Sequence, residues 1–393
     1  MAVYKIFPTQ DTTLYSSYPY MNTGMDAICE VSNLIDISGT PGVSRYLTQF
    51  DNEEIQDIIL NKINGDSYQI YLRNFIATAQ GIATDTSIEI YPIAQPWNNG
   101  TGHYLDSPQT DDGASWYFSN LSGSGQWVIS GSYNGYFITG SYNSNYVGQG
   151  GGNWFYNNVS SSYVTVGYVI PGYILSLPSF SGSNDITFGL RDVKDIELDV
   201  TSIVDLWNGS VLPNYGFICK LANEFEFISN LNNQPVLKYY SVDTNTIYPP
   251  QLEFRWRDYS SIIIPSPSIV NTPDLKLSLS ENPESFYPDS VNRFYVNVSP
   301  LYPARVYQTS SLFTNLNYLP TSSYYAVKDL ATNEFVINFD EQYTQISANS
   351  KGNYFDIYMS GLEPERYYKI LIKTLIDGST LIFDDDYYFK VIN

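Results

Sequence analysis

Basic residues are scarce in this sequence. Its 393 residues carry 19 Lys and Arg against 40 Asp and Glu, a formal net charge of −21, and no stretch gathers the cations into a stripe. Nucleic acids and anionic membranes are held by clustered cations, so neither is an expected partner. Histidine is scarcer still. His103, in "NNGTGHYLD", is the only one, and a Ser-His-Asp triad or multi-histidine metal centre would have to form around that loop residue. The two cysteines, Cys29 and Cys219, lack CxxC or framework spacing and read as buried thiols. No apolar run reaches the length of a membrane span. The start, "MAVYKIFPTQ", has neither the basic nor the apolar region of a signal peptide.

What is abundant is β-forming and turn-forming. Tyrosine appears 37 times, phenylalanine 20, glycine 26 and proline 21, and short alternating runs are punctuated by turn dipeptides, which predicts an all-β chain. In "DAICEVS", Ile28, Glu30 and Ser32 alternate with Ala27, Cys29 and Val31. One helix is expected at "DNEEIQDIILNKING", capped by Asp51 or Asn52, acidic at its start and stopped by Gly65. The clearest hairpin lies near the end, in "GLEPERYYKILIKTLIDGS". Tyr368, Ile370, Ile372, Thr374 and Ile376 share one face, and Asp377-Gly378 suits a two-residue turn whose central positions both need positive φ. A return strand follows through Leu381, Phe383, Tyr387, Phe389 and Val391, with Asp384 to Asp386 bulging between.

Between Ala114 and Asn184 there is no charged residue at all, only a Gly/Ser/Asn/Tyr-rich stretch with Trp116, Trp127 and Trp154. Its aromatic content and alternation, as in "QWVISGSYNGYFITGSY", argue for a glycine-turned β insertion rather than a linker. Prolines 249, 250, 265, 267 and 273 then mark a boundary. The expected organisation is a sandwich domain over 1–258 with an insertion at about 104–184, a Pro-rich connector over 259–274, and a second sandwich over 275–393.

Two parts of the sequence resemble known families. "DTTLYSSYPYMNTG", "RYLTQFD", "IEIYPIAQPWNNGTG", "LDVTSIVDLWNG" and "NYGFICK" together resemble the DNRLRE-type, carbohydrate-binding-module-like domain, which implies a jelly-roll-like sandwich. "GLEPERYYKI" is similar to the Leu-x-Pro-x-x-x-Tyr corner of fibronectin type III and other immunoglobulin-like domains, with Leu362, Pro364 and Tyr368 in the corner positions. That resemblance implies a tyrosine hydroxyl tied back to nearby backbone. The order of segments as a whole, with "SRYLTQFD", "DTNTIYPPQLEFRWRDYS", "SSYYAVKDLATNEFVINFD" and "YFDIYMSGLEPERYYKILIKT", resembles virion structural proteins of large tailed bacteriophages, especially contractile-tailed phages of marine cyanobacteria. It implies a virion component assembled in the host cytoplasm, in contact with other virion proteins and with further copies of itself.

The residues offer little conventional chemistry. Asp111-Asp112 and Asp384 to Asp386 are candidate calcium ligands without the alternate spacing of a calcium loop. "GQGGGN" lacks the Lys-Ser/Thr of a phosphate loop. No cofactor and no catalytic residue are expected, and the protein reads as a non-enzyme. Trp97, Tyr104, Trp116, Trp127, Tyr133 and Trp154 are the candidate contact residues. Aromatic rings in Gly/Asn-rich loops stack on sugars, anchor protein interfaces or pack a core. A multi-copy structural role in the virion is the leading expectation, and adhesion to host surface glycan the alternative.

Overall fold

A computed structural model describes residues 2–35, 41–63, 65–82, 86–123, 125–128, 130–134, 136–143, 148–156, 185–189, 191–227, 234–261, 268–270, 272–280, 283–302 and 316–392. The chain is all-β and forms two compact units. One comprises Ile6–Ile58 and Ile70–Leu252; the other comprises Met1–Lys5, Ile59–Gln69 and Glu253–Asn393. They are called the N-terminal and C-terminal units below.

The N-terminal unit is built on an eight-stranded sheet. Its order is Asp185–Phe188, Thr86–Pro92, Phe217–Leu221, Pro41–Gln49, Ile28–Ile35, Val236–Tyr240 and Ile76–Gln80, with Gln10–Tyr15 also paired to Pro41–Gln49. Tyr68–Asn74 pairs antiparallel with Ile196–Asp199. The short helix Thr201–Asn208 then buries Ile203, Val204, Leu206 and Trp207, the last with its ring centroid 4.7 Å from that of Phe217. The expected helix starts where its cap predicts: Asp51 accepts from the Glu53 N–H at the head of Asn52–Asp57, and the chain continues as the wider π-helical turn Ile58–Ile63. Cys29 and Cys219 are free and buried.

The uncharged insertion contributes a three-stranded antiparallel sheet, Ser130–Tyr133, Tyr136–Asn143 and Gly148–Tyr156; residues 157–184 lie outside the described residues. Its tryptophans pack inward. Trp116, Trp127 and Trp154, with Trp97, form a core with Leu14, Leu47 and Ile218. The "GQGGGN" stretch is part of the same packing. Gly150, Gly151 and Gly152 all have positive φ, and a Cβ on Gly150 would lie 2.5 Å from the Trp116 carbonyl oxygen. The glycines let this strand pass against Trp116 and Arg45.

In the C-terminal unit a four-stranded sheet, Leu275–Ser280, Val291–Pro300, Gly352–Tyr358 and Ser347–Asn349, faces a six-stranded one. The second sheet contains Ser323–Asp329, Tyr367–Ile376, Ser379–Phe383 and Tyr388–Val391. Leu277, Phe294, Phe355 and Ile357 from the first sheet share a core with Tyr325, Ile370, Ile372 and Phe389 from the second. Tyr325 stacks on Phe355 at 4.3 Å between centroids. This is a sandwich. Asp377 and Gly378 have φ of 49° and 77°, and Ile376 pairs with Ser379 across the turn. Tyr368 is buried and donates its hydroxyl to the Glu363 carbonyl at 3.0 Å, with Leu362 also buried in the same core.

The unit limits differ from those read in the sequence. Val3 belongs to the core of the C-terminal unit, and Lys5 reaches Glu253 at 3.6 Å. Within the expected connector, Ser268–Ile269 pairs in parallel with Asn317–Tyr318 and Val270 is buried in the same core; residues 262–267 lie outside the described residues. Apolar side chains in a proline-rich stretch found strand partners far along the chain.

Candidate functional site

Four of the six candidate contact aromatics are not at a surface. Trp97, Trp116, Trp127 and Trp154 are buried in the protein's own core, so their rings are closed to a sugar or a partner. Trp97 donates its indole N–H to the Tyr215 carbonyl and Trp127 to that of Ser115. Tyr133 is half exposed on the insertion, near Phe155. Tyr104 is 47% exposed and stands at the mouth of a cleft.

That cleft, about 400 Å³, lies in the N-terminal unit. Its floor is one face of the strand Ile28–Ile35, the alternating residues Ile28, Glu30, Ser32 and Leu34. The opposite parity, Cys29 and Val31, is buried in the interior. Lys238, directly across from Glu30 in the neighbouring strand, closes one side. Tyr15, at the end of Gln10–Tyr15, and Tyr18 in the turn beyond it form the wall. Tyr104 meets both edge-on, with ring centroids 5.1 Å and 6.0 Å away.

The rim is held by asparagines. Asn22 donates its amide to the carbonyls of Asn99 and Ala114, and its oxygen accepts from Gly24 and Gly102. Asn99 donates to the Gly24 carbonyl and accepts from the Asp11 N–H. The segments "YMNTG" and "PWNNGTG" are thus locked to each other, and that lock carries His103 and Tyr104 to the cleft. Asp26 receives them: its carboxylate accepts from the Tyr104 N–H and lies 3.2 Å from His103 Nδ1. Burial pushes the Asp26 carboxyl above its ordinary value, against the opposing Tyr104 and His103 hydrogen bonds. Glu30 is tied down from two sides, accepting from the Ser32 hydroxyl at 2.6 Å and pairing with Lys238 at 3.3 Å. Burial, and then the negative charge of Glu30, also raises the Tyr15 hydroxyl well above its usual value.

The cleft offers flat rings beside fixed carboxylates and hydroxyls, an arrangement that binds a polar molecule with an apolar face. Tyr104 was legible as a candidate. Tyr15, Tyr18, Asp26, Glu30 and Lys238 were not, and the signal available was polar Glu30 and Ser32 alternating on a strand whose other face is apolar. Asp112 accepts from Thr101, and Lys369 lies between Asp384 and Asp386 at 2.6 and 2.9 Å. Among the described residues no group of three or more His, Cys, Asp or Glu is placed to hold a metal ion.

Beside the rim, Asp11 is buried. One carboxylate oxygen accepts from the Val242 N–H at 2.7 Å, and the other has no hydrogen-bond partner among the described residues. Burial pushes its pKa to about 8, with the Val242 hydrogen bond opposing and Asp243 adding to the rise. The folded chain therefore holds a proton that the unfolded chain releases near pH 4. Its contribution is full below pH 4, falls by roughly 1.4 kcal/mol per pH unit between about 4 and 8, and is flat above. Thermal melts across that window should show Asp11→Asn with a shallower loss of stability than the wild-type protein; parallel slopes would show that Asp11 ionises freely.

No family model matches this chain, and no curated protein matches it. Among solved structures it is similar to a DUF4785 family protein from Legionella pneumophila, at 7% identity over 98% of this chain and 66% of that one, with a TM-score of 0.17. A likeness that slight carries no argument about fold or function.

Proposed function

We propose that this protein is a non-enzymatic binding component of a tailed-phage virion whose N-terminal unit takes host-surface glycan in the Tyr15–Tyr18–Tyr104 cleft. The observation that carries the glycan reading is the cleft itself: Tyr104 is half exposed and braced edge-on by two further tyrosines above a floor of Glu30 and Ser32. Sugar rings present an apolar C–H face to aromatic rings and hydroxyls to carboxylates. Both carboxylates are already held by neighbouring donors, which suits acceptors of fixed orientation. The virion placement rests on the resemblance in the order of segments. Tyr104→Ala is expected to lower binding on a glycan array about tenfold, the upper part of the range for one aromatic contact, with an unchanged melting midpoint. Binding that survives the substitution, or turnover of the bound glycan, would count against this reading.

A second reading, multi-copy assembly through protein contacts, is favoured by the six-stranded sheet of the C-terminal unit. Tyr367, Leu375, Ile382, Tyr388 and Phe335 are exposed on it. Lysines 390, 369 and 328 lie over the rings of Tyr367, Tyr388 and Phe335 at 5.8, 5.4 and 5.4 Å. Exposed aromatics of this kind mark contact surfaces. Assembly through this sheet predicts a purified chain larger than a monomer by light scattering, and Ile382→Glu should return it to the monomer mass. A wild-type monomer at all concentrations would remove this reading.

A further inference from the structure

The cleft has three charged lining residues, Asp26, Glu30 and Lys238. Lys238 is committed to Glu30, and Glu30 is almost fully buried. His103 and the Tyr104 N–H lie against Asp26 from the rim. Resting on the glycan reading above, we infer that the cleft selects an uncharged saccharide, of neutral hexose or N-acetylhexosamine type, and rejects uronic and sialic acids.

The reason is in the balance of charges. Two carboxylates face one ammonium, so the cleft carries an excess negative charge, and the whole chain stands at −21. An anionic sugar could be met only by drawing Lys238 away from Glu30, which would leave a buried carboxylate without its cation. Its own carboxylate would also approach Asp26. A neutral sugar asks for no such exchange. Its hydroxyls donate to the Asp26 and Glu30 carboxylates that line the cleft, and charge-assisted hydrogen bonds of this kind are the stronger ones. Ser32 is itself steadied by the Ser44 hydroxyl at 2.8 Å. Glu30 is the specificity-determining acceptor, and Lys238 and Ser32 position it.

The test is a printed panel of neutral, N-acetylated, uronic-acid and sialic-acid oligosaccharides, probed with the full chain at low and high salt. Neutral members should bind at least about tenfold more tightly than acidic ones. That discrimination should shrink as salt screens the cleft. Glu30→Gln keeps the shape and an acceptor oxygen but removes the charge. It is expected to weaken neutral binding about fivefold, the difference between a charged and a neutral hydrogen bond, and to narrow the discrimination against acidic members. Asp26→Asn, at the less buried of the two carboxylates, is a second variant should Glu30→Gln fold poorly; it removes one negative charge and should narrow the discrimination. Acidic members bound as tightly as neutral ones would overturn this inference and leave the glycan reading standing. A folded chain that binds no saccharide would overturn both.

Discussion

Glu226→Gln is expected to cost about 3–5 kcal/mol of stability, read as a fall in the denaturation midpoint of the full chain. Arg45 and Glu226 are 181 residues apart in sequence and pair in bidentate fashion, Arg45 Nε and Nη2 each donating to one carboxylate oxygen at 2.7 and 3.0 Å, with side-chain exposure of 0% for each. The guanidinium also lies 5.0 Å from the Trp116 ring centroid and 5.4 Å from that of Trp154, and donates to the Gly151 carbonyl. Lys220, equally buried, shares Glu226 at 3.7 Å and holds Glu89 at 2.8 Å. Taking the charge from Glu226 leaves two buried cations with one fewer anion. The cost is that of the stranded charge, not of the ion pair as such. A joint replacement, Arg45→Met with Glu226→Met, should therefore lose less than the sum of the two single substitutions. A loss below about 1 kcal/mol for Glu226→Gln would mean that the cluster is hydrated.

Trp127→Ala is the second large effect, about 3–5 kcal/mol, the usual cost of emptying a buried tryptophan site. Its indole is 1% exposed and donates to the Ser115 carbonyl at 3.0 Å. The sequence leaves Trp127 open to three roles: sugar stacking, a protein interface or core packing. The structure makes it a support for the insertion. The two roles separate in one experiment. Trp127→Ala should melt early while the folded fraction binds glycan normally, whereas Tyr104→Ala should bind poorly and melt normally. If Trp127→Ala instead kept its midpoint and lost binding, the indole would be a contact after all.

The parts that were legible were local. Alternation in Tyr368 to Ile376 and the Asp377-Gly378 dipeptide fix the last hairpin because both the pleat and the turn are properties of adjacent residues. The Asp51 cap is legible for the same reason. The role of the tryptophans was not. In Gly- and Asn-rich surroundings a ring looks exposed, and the cue that it is not, an absence of charge across the whole insertion, suits an interface equally well. The sequence around the glycines at 150 to 152 excludes a phosphate loop but does not show their use, clearance for Trp116 and Arg45, which depends on residues far away in sequence.

The sequence by itself determined an all-β chain with few cations, a glycine-turned insertion and a hairpin closed by Asp377-Gly378. These follow from composition, parity and turn chemistry. Only the tertiary structure decided which aromatics are core and which face outward, and it gathered Tyr15, Asp26, Glu30, Tyr104 and Lys238 around one cleft. Asp26 and Tyr104 are 78 residues apart and meet through a backbone hydrogen bond that no local pattern encodes. Burial and site geometry are set by which strands pair across the sheet, and that pairing is a property of the whole chain.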